Sequence, residues 1–289
     1  SALQLARKMR IPISTDFRTN FHAYSSHYGI GWLSGAILSY MRKFHNAADV
    51  TMVPTQQLAD LLQSTRFERL KVVPRGVDTT LFSPSKRKQS LRESWHAGPN
   101  DIVMLYVGRL AAEKNLNQVI QTYLMAKVAL PGTQLVLVGD GPLRQELQEA
   151  HKDVVFAGFQ TGESLANHYA SADMFVFASQ TETFGNVTLE AMASGLAVVA
   201  FDHAAAGELI KSGINGMLAS HDSGVHFEMA AQALLNNPEL MRYVRQQAVS
   251  TALDMGWDKI VQKTESVLQD VLQQREQVFA SAAPLVNVG

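Results

Sequence analysis

Glu182-Thr183-Phe184-Gly185-Asn186-Val187-Thr188-Leu189-Glu190-Ala191-Met192-Ala193-Ser194-Gly195 decides the reading of this chain. A short β-rich run at 174–177 precedes it and another at 196–200 follows. Between them Asn186 reads as an N-cap that opens a helix. Strand, loop, helix and strand in that order make a βαβ unit, and βαβ units build parallel sheets. Two carboxylates, Glu182 and Glu190, lie eight positions apart across the loop-to-helix junction. The backbone N–H groups of Gly185 to Val187 point out of the helix start and can hold an anion such as a diphosphate. Glu182, outside the helix, is free to accept from a sugar hydroxyl, and Glu190 can accept from a ribose diol. An exposed loop acid beside a helix acid favoured by the macrodipole would give the same pattern.

The same alternation extends outward. Further strand candidates are 11–15, 49–53, 70–73, 102–107, 134–138 and 154–157. Residues 33–44, 55–65 and 115–130 carry apolar residues at helical spacing. A last helix, about 258–278, shows the stripe Ile260, Val261, Val267, Leu268, Val271 and Leu272 and should dock on something. The second half has five or six strands, enough for a complete doubly wound sheet. The first half has three and opens on a helix tail at 2–9. Its opening βα units are therefore expected to be missing, and the chain reads as a fragment of a longer protein. Gly, Pro and charge cluster in Arg75-Gly76-Val77-Asp78 and Ser83-Pro84-Ser85-Lys86-Arg87-Lys88-Gln89-Ser90, as in a linker. The expected division is 1–85, 86–255 and a final 256–289 that returns to the first part.

Composition narrows the class. The chain has 289 residues, 46% hydrophobic and 18% charged, which can fill a sizeable core and excludes a disordered or collagen-like chain. Lys and Arg number 25 against 26 Asp and Glu, so no global basic charge is available to hold nucleic acid. Cysteine is absent, which removes disulfides, thiolate metal sites and a cysteine nucleophile, and fits a cytoplasmic protein. No apolar run reaches the length of a membrane span, and no signal peptide opens the chain.

Two further motifs carry chemistry. In Val107-Gly108-Arg109-Leu110-Ala111-Ala112-Glu113-Lys114-Asn115, a strand ends and two cations follow in a loop, where open α/β sheets bind ligands. Arg109 and Lys114 suit a diphosphate, although two solvated loop cations would look the same. Val138-Gly139-Asp140-Gly141-Pro142-Leu143-Arg144 fails the dinucleotide pattern at Arg144, which counts against a nicotinamide enzyme. It reads as a tight strand-to-helix turn with Pro142 in the first helical turn.

Taken together, these motifs resemble the retaining glycosyltransferases of family 4. Glu182 and Glu190 match that family's E-x7-E motif, and Gly108-Arg109, Glu113-Lys114, Gly139-Asp140-Gly141-Pro142 and Gly76-Val77-Asp78 with Phe82 match in order, over about residues 10–280. The resemblance implies the GT-B fold, with two Rossmann-like lobes facing a cleft, the N-terminal lobe incomplete here and the C-terminal lobe complete. It implies a nucleotide-sugar donor in the C-terminal lobe. Arg109 and Lys114 would neutralise the leaving diphosphate, with Gly108 beside them. Glu182 would hold the donor sugar, near backbone groups of Phe184, Gly185, Asn186 and Val187. Glu190 would hold the ribose, and Gly158, Phe159 and Gln160 would lie near the base. No metal or other cofactor is expected, since the two cations stand in its place and no D-x-D cluster is present.

The family carries a His at the end of an N-lobe strand. Here Arg18 stands at that position and His22 follows four residues on, so Asp16, Arg18, Asn20 and His22 are the N-lobe candidates. Thr15-Asp16-Phe17-Arg18-Thr19-Asn20-Phe21-His22-Ala23-Tyr24 resembles a bacterial subgroup of GDP-mannose-dependent α-mannosyltransferases, close to sulfolipid and glycolipid synthases. That implies mannose from GDP-mannose and a hydroxyl acceptor, with lipid or glycan as the class. The apolar stretch 29–44, basic at its end, fits either peripheral contact with the inner face of a membrane or a helix packed on the sheet. Two other readings stay open: a nucleotide-sugar epimerase of the same fold, and an inactive nucleotide-binding fragment.

Overall fold

Three short parallel strands organise the smaller unit and six the larger in the computed structural model, which describes residues 2–18, 34–221 and 223–282. The units are Ser1–Pro74 with Asp258–Gly289, and Arg75–Trp257.

In the smaller unit, Ser14–Asp16 (β1), Val50–Val53 (β2) and Leu70–Val72 (β3) pair in the order β1-β2-β3. The helix Gln56–Ser64 begins at Thr55, whose Oγ1 accepts from the Leu58 N–H at 3.2 Å. It buries Leu58, Ala59 and Leu62 with Phe17, Val53 and Phe67. The helix Ser34–His45 adds Leu38 and Met41 to this core and leaves Tyr40 exposed. The apolar stretch noted above therefore packs by one face over its described part; residues 29–33 lie outside the described residues. From Asp258 onward the helix Trp257–Ala282 belongs here. Val267 and Val271 bury against Val50, and Arg275 donates to Asp49 Oδ1 at 2.7 and 3.0 Å. The apolar stripe splits: Ile260, Val267 and Val271 are buried, whereas Val261, Leu268 and Leu272 stay exposed.

In the larger unit the strands are continuous apolar runs. Every residue of Val103–Val107 (β4) is buried, and the same holds for Met174–Phe177 (β7) and Ala197–Phe201 (β8). Strands read this way when both faces of the sheet are covered. With Gln134–Val138 (β5), Val155–Gly158 (β6) and Met217–Ala219 (β9) they form one sheet, in the order β6-β5-β4-β7-β8-β9, parallel throughout. The edge strand β9 has only three residues and escapes a reading based on apolar runs.

The units divide between Pro74 and Arg75, ahead of the boundary expected after residue 85. Residues 75–85 are built into the larger unit. Val77 N–H donates to Met255 O at 3.0 Å, and the Phe82 ring meets Tyr169 edge-on at 5.7 Å. A Cβ on Gly76 would lie 2.8 Å from the Trp257 ring, so only glycine permits this passage. The charged run beyond it is not a linker either. Arg92, 1% exposed, donates to Asp173 Oδ2 at 2.8 Å and to the carbonyls of Ser171, Gly98 and Asp101. Arg87 and Arg245 reach Asp173 Oδ1 at 3.0 and 3.3 Å. Burial raises the Asp173 pKa, but Arg245, Arg87, Arg92 and the Val103 N–H outweigh it and hold the carboxyl below its ordinary value. In sequence Arg87 reads as part of a linker, whereas with Arg92 and Arg245 it closes the start of β4 against the start of β7.

Candidate functional site

The strand order of the larger unit reverses between β4 and β7. In open α/β sheets the crevice for a ligand lies at such a point, outside the carboxyl ends of the strands. A cavity of about 780 Å³ is found there.

Three loops and two helices wall it, the helix Gly162–Ser171 through Leu165. The loop after β4 brings Gly108 and Arg109, the loop after β5 Gly139, Asp140 and Gly141, and the loop after β6 Phe159 and Gln160. The first two loops are stitched backbone to backbone. Gly108 N–H donates to Val138 O at 3.0 Å, Leu110 N–H to Asp140 O at 2.9 Å, and Leu143 N–H to Leu110 O at 2.9 Å. A Cβ on Gly139 would lie 2.0 Å from Gly108 O, and one on Gly141 2.4 Å from Leu110 O. The glycines are thus required by the approach of two chains. Pro142 does not enter a helical turn: the helix starts at Arg144, because the chain must first pass under Leu110.

The helix Asn186–Ala193 supplies Val187 and Glu190 to the cavity. Its N-cap is Gly185, in the left-handed region at φ 86°, and Asn186 is the first helical residue. The expected Asn186 cap is therefore displaced by one position. A glycine cap has no side chain of its own to cover the helix N–H groups.

Glu190 is largely buried, and its Oε2 accepts from the Tyr169 hydroxyl at 3.0 Å. Burial raises its pKa and the Tyr169 hydrogen bond lowers it, with burial the larger effect. At the other end Tyr106 donates to the Arg109 carbonyl at 3.0 Å. Its own phenol is pushed up by burial, then by Glu182 and Glu113.

Lys114 and Glu182 meet in an ion pair, and Ser179 donates to the same Glu182 oxygen at 3.0 Å. Glu182 is thus engaged rather than free. His203 lies against the Glu182 carbonyl at 3.2 Å and packs on His221; burial, then His221, lower its pKa. Of the residues singled out from sequence, Gly108, Arg109, Phe159, Gln160, Val187 and Glu190 line the cavity together. Lys114, Glu182, Phe184, Gly185, Asn186 and Gly158 do not line it. Phe184 is buried, with its carbonyl taken by the Ala205 N–H. In the smaller unit Asp16 and Arg18 pair with each other at the end of β1; Asn20 and His22 lie outside the described residues.

Sequence reasoning missed Tyr106, Tyr169, Ser179 and His203. A tyrosine inside an apolar strand or helix carries no local sign of where its hydroxyl ends. Gly139 and Gly141 read in sequence as a tight turn and as part of the family match; that they mark the crossing of two loops is seen only in the fold.

The fold defines a class. A structure of HepE from Anabaena in complex with UDP and glucose aligns with a TM-score of 0.77 over 93% of this chain and 74% of that one, at 22% identity. The architecture is that of the GT-B glycosyltransferases. Residues 101–237 match the family described as "Glycosyl transferases group 1" and residues 1–81 that described as "Glycosyltransferase Family 4". A GDP-mannose-dependent alpha-mannosyltransferase of Mycolicibacterium smegmatis is 34% identical over 92% of this chain and 70% of its own length. An alpha-monoglucosyldiacylglycerol synthase of Streptococcus pneumoniae is 27% identical over 82% of this chain and 56% of its own. The chain belongs to the group 1, family 4 glycosyltransferases. No helix among the described residues is long and apolar enough to cross a membrane.

Proposed function

We propose that this chain performs a retaining hexosyl transfer from a nucleoside diphosphate sugar, GDP-mannose first, to a hydroxyl of a lipid or glycan. The observation that carries the reading is the arrangement of polar groups around one cavity at the switch point. Arg109 and Val187, in the first turn of the helix Asn186–Ala193, lie with the glycine loops, and Glu190 lies further along the same helix. The volume, about 780 Å³, is that of a small-molecule site.

The diphosphate sits against the Gly108 loop and the N–H groups at Asn186 and Val187. Arg109 and Lys114 supply the positive charge that its oxygens need as the bond to the sugar breaks. Glu190 accepts from the ribose, and Phe159, 74% exposed at the rim, offers its ring face to the base. The bond from the anomeric carbon to the phosphate oxygen breaks, and a bond to the acceptor oxygen forms on the same face. The leaving phosphate takes the acceptor proton. Glu182, drawn from Lys114 as the diphosphate arrives, turns to the sugar hydroxyls. The mannosyltransferase and glycolipid-synthase names of the relatives support the choice of donor and of a lipid acceptor, peripheral to a membrane.

A thermal-shift panel with GDP, UDP, ADP and their sugar conjugates tests this. A ligand at about 100 times its dissociation constant stabilises the fold by ~2.7 kcal/mol. A shift with GDP and GDP-mannose supports the whole reading. A shift with UDP alone keeps the transferase and changes the donor. No shift with any nucleotide overturns the donor site.

A further inference from the structure

A chain of four aromatic rings, three stacked and the last tilted, runs through the core behind the cavity. Tyr106 lies 6.1 Å from Phe177, Phe177 5.6 Å from Phe175, and Phe175 5.8 Å from Tyr169, centroid to centroid. The rings alone would pack as well if all four were phenylalanine. The two end members instead carry hydroxyls, and a hydroxyl taken out of water destabilises the fold unless it is bonded. Tyr169 is fully buried, and its hydroxyl donates to Glu190, a carboxylate that lines the cavity.

We propose that Tyr169 is a positioning residue of the donor site: its hydroxyl engages Glu190 Oε2 from behind and leaves Oε1 to accept from a ribose diol. The inference rests on the donor-site reading above.

The surroundings of Glu190 make this bond decisive. Its helix packs on β7 and β8, neither of which carries a titratable group. The helix Gly162–Ser171 contributes Tyr169, while His168 on that helix turns to the Ser164 carbonyl and Trp95. From the helix Pro238–Leu253, Arg245 is taken by the Gly195 carbonyl and Asp173. The helix Ala204–Leu209 contributes Glu208, and the cavity itself contains Arg109 and Asp140. Burial makes the Glu190 carboxyl hard to ionise, and the Tyr169 bond opposes that effect. Without the hydroxyl, the carboxylate needed to accept from ribose would form only at higher pH.

The test is nucleotide binding by calorimetry between about pH 5 and 8, with GDP as probe, or UDP or ADP if either binds the native chain instead. The native chain should lose affinity on its acid side. Tyr169→Phe should move that limb to higher pH and recover to within about threefold of native affinity above it. Tyr123→Phe, which loses a hydroxyl bonded to Asp153 and Lys127 instead, should leave the limb in place. An affinity loss of equal size at every pH, or an unmoved limb, would overturn the inference while leaving the donor site standing. Absence of binding by the native chain would overturn both. Should Tyr169→Phe not fold, carbon-13 NMR of the native chain decides: the Glu190 carboxyl and the Tyr169 ring carbon bearing oxygen should titrate with one midpoint, and two separate midpoints would overturn it.

Discussion

The Lys114 ammonium rests on the Glu182 carboxylate, joining residues 68 positions apart, with the Ser179 hydroxyl on the same oxygen. Both charges are mostly covered, so each orients the other before any ligand arrives.

Lys114→Ala should lower turnover by about 10²–10³-fold, the scale of one lost electrostatic donor in a transition state. Arg109→Ala should do the same with no change in melting temperature, since its side chain is half exposed. Glu182→Gln should act mainly on KM for the sugar nucleotide. Steady-state transfer assays with GDP-mannose read all three; near-native turnover in both cation variants would contradict the roles given to them.

Gly139→Ala places a methyl 2.0 Å from the Gly108 carbonyl. The two loops must part, which should destabilise the fold by about 1–3 kcal/mol and weaken nucleotide binding together. Gly158→Ala meets only the end of the Arg144 side chain at 3.7 Å, at φ 70°, so its effect is backbone strain alone, about 1–2 kcal/mol. Gly139 stands at φ 135° and its variant carries strain as well, so urea denaturation of the pair reads crowding as the difference between them.

Asp173→Asn leaves Arg87, Arg92 and Arg245 facing one another without their common anion. Removing one member of a buried ion cluster costs about 3–5 kcal/mol. The loss should appear in the melting of the larger unit, followed by the fluorescence of Trp95.

His45 is buried among Phe17, Phe44 and Phe67, with its Nδ1 3.0 Å from Thr15 Oγ1. Burial lowers its pKa, and Asp16 only partly opposes this. The unfolded chain then binds the proton more readily, so the contribution to stability is present above about pH 6.5 and is lost as pH falls through the lower folded value. His168 and His203 shift in the same direction. Stability measured by denaturant should therefore fall from about pH 7 to 5, and His45→Gln should flatten part of that slope. An unchanged slope would exclude His45 as a contributor.

The parallel sheets were legible because burial on both faces leaves unbroken apolar runs such as Met174–Phe177. The placement of Arg109, Lys114, Glu182 and Glu190 at strand-to-helix junctions was legible from the apolar runs that flank them, whereas the pairing of Lys114 with Glu182 was not. What escaped has a common physical cause. Arg87 and Arg92 look like linker charge until Asp173, more than 80 residues away, is brought to them. Tyr169 looks like core until its hydroxyl is seen on Glu190. The partner that gives such a residue its meaning is distant in sequence, and composition carries no record of it.

The glycine at the start of the helix Asn186–Ala193 also has a dynamic consequence. A side-chain oxygen at the cap position commonly holds the start of a helix against fraying, and the glycine cap here supplies none. A bound diphosphate would itself be the missing cap. The amides of Asn186 and Val187 should then exchange with solvent more slowly when the cavity is filled, which makes the first turn of this helix a built-in gauge of occupancy, readable by hydrogen exchange without any turnover.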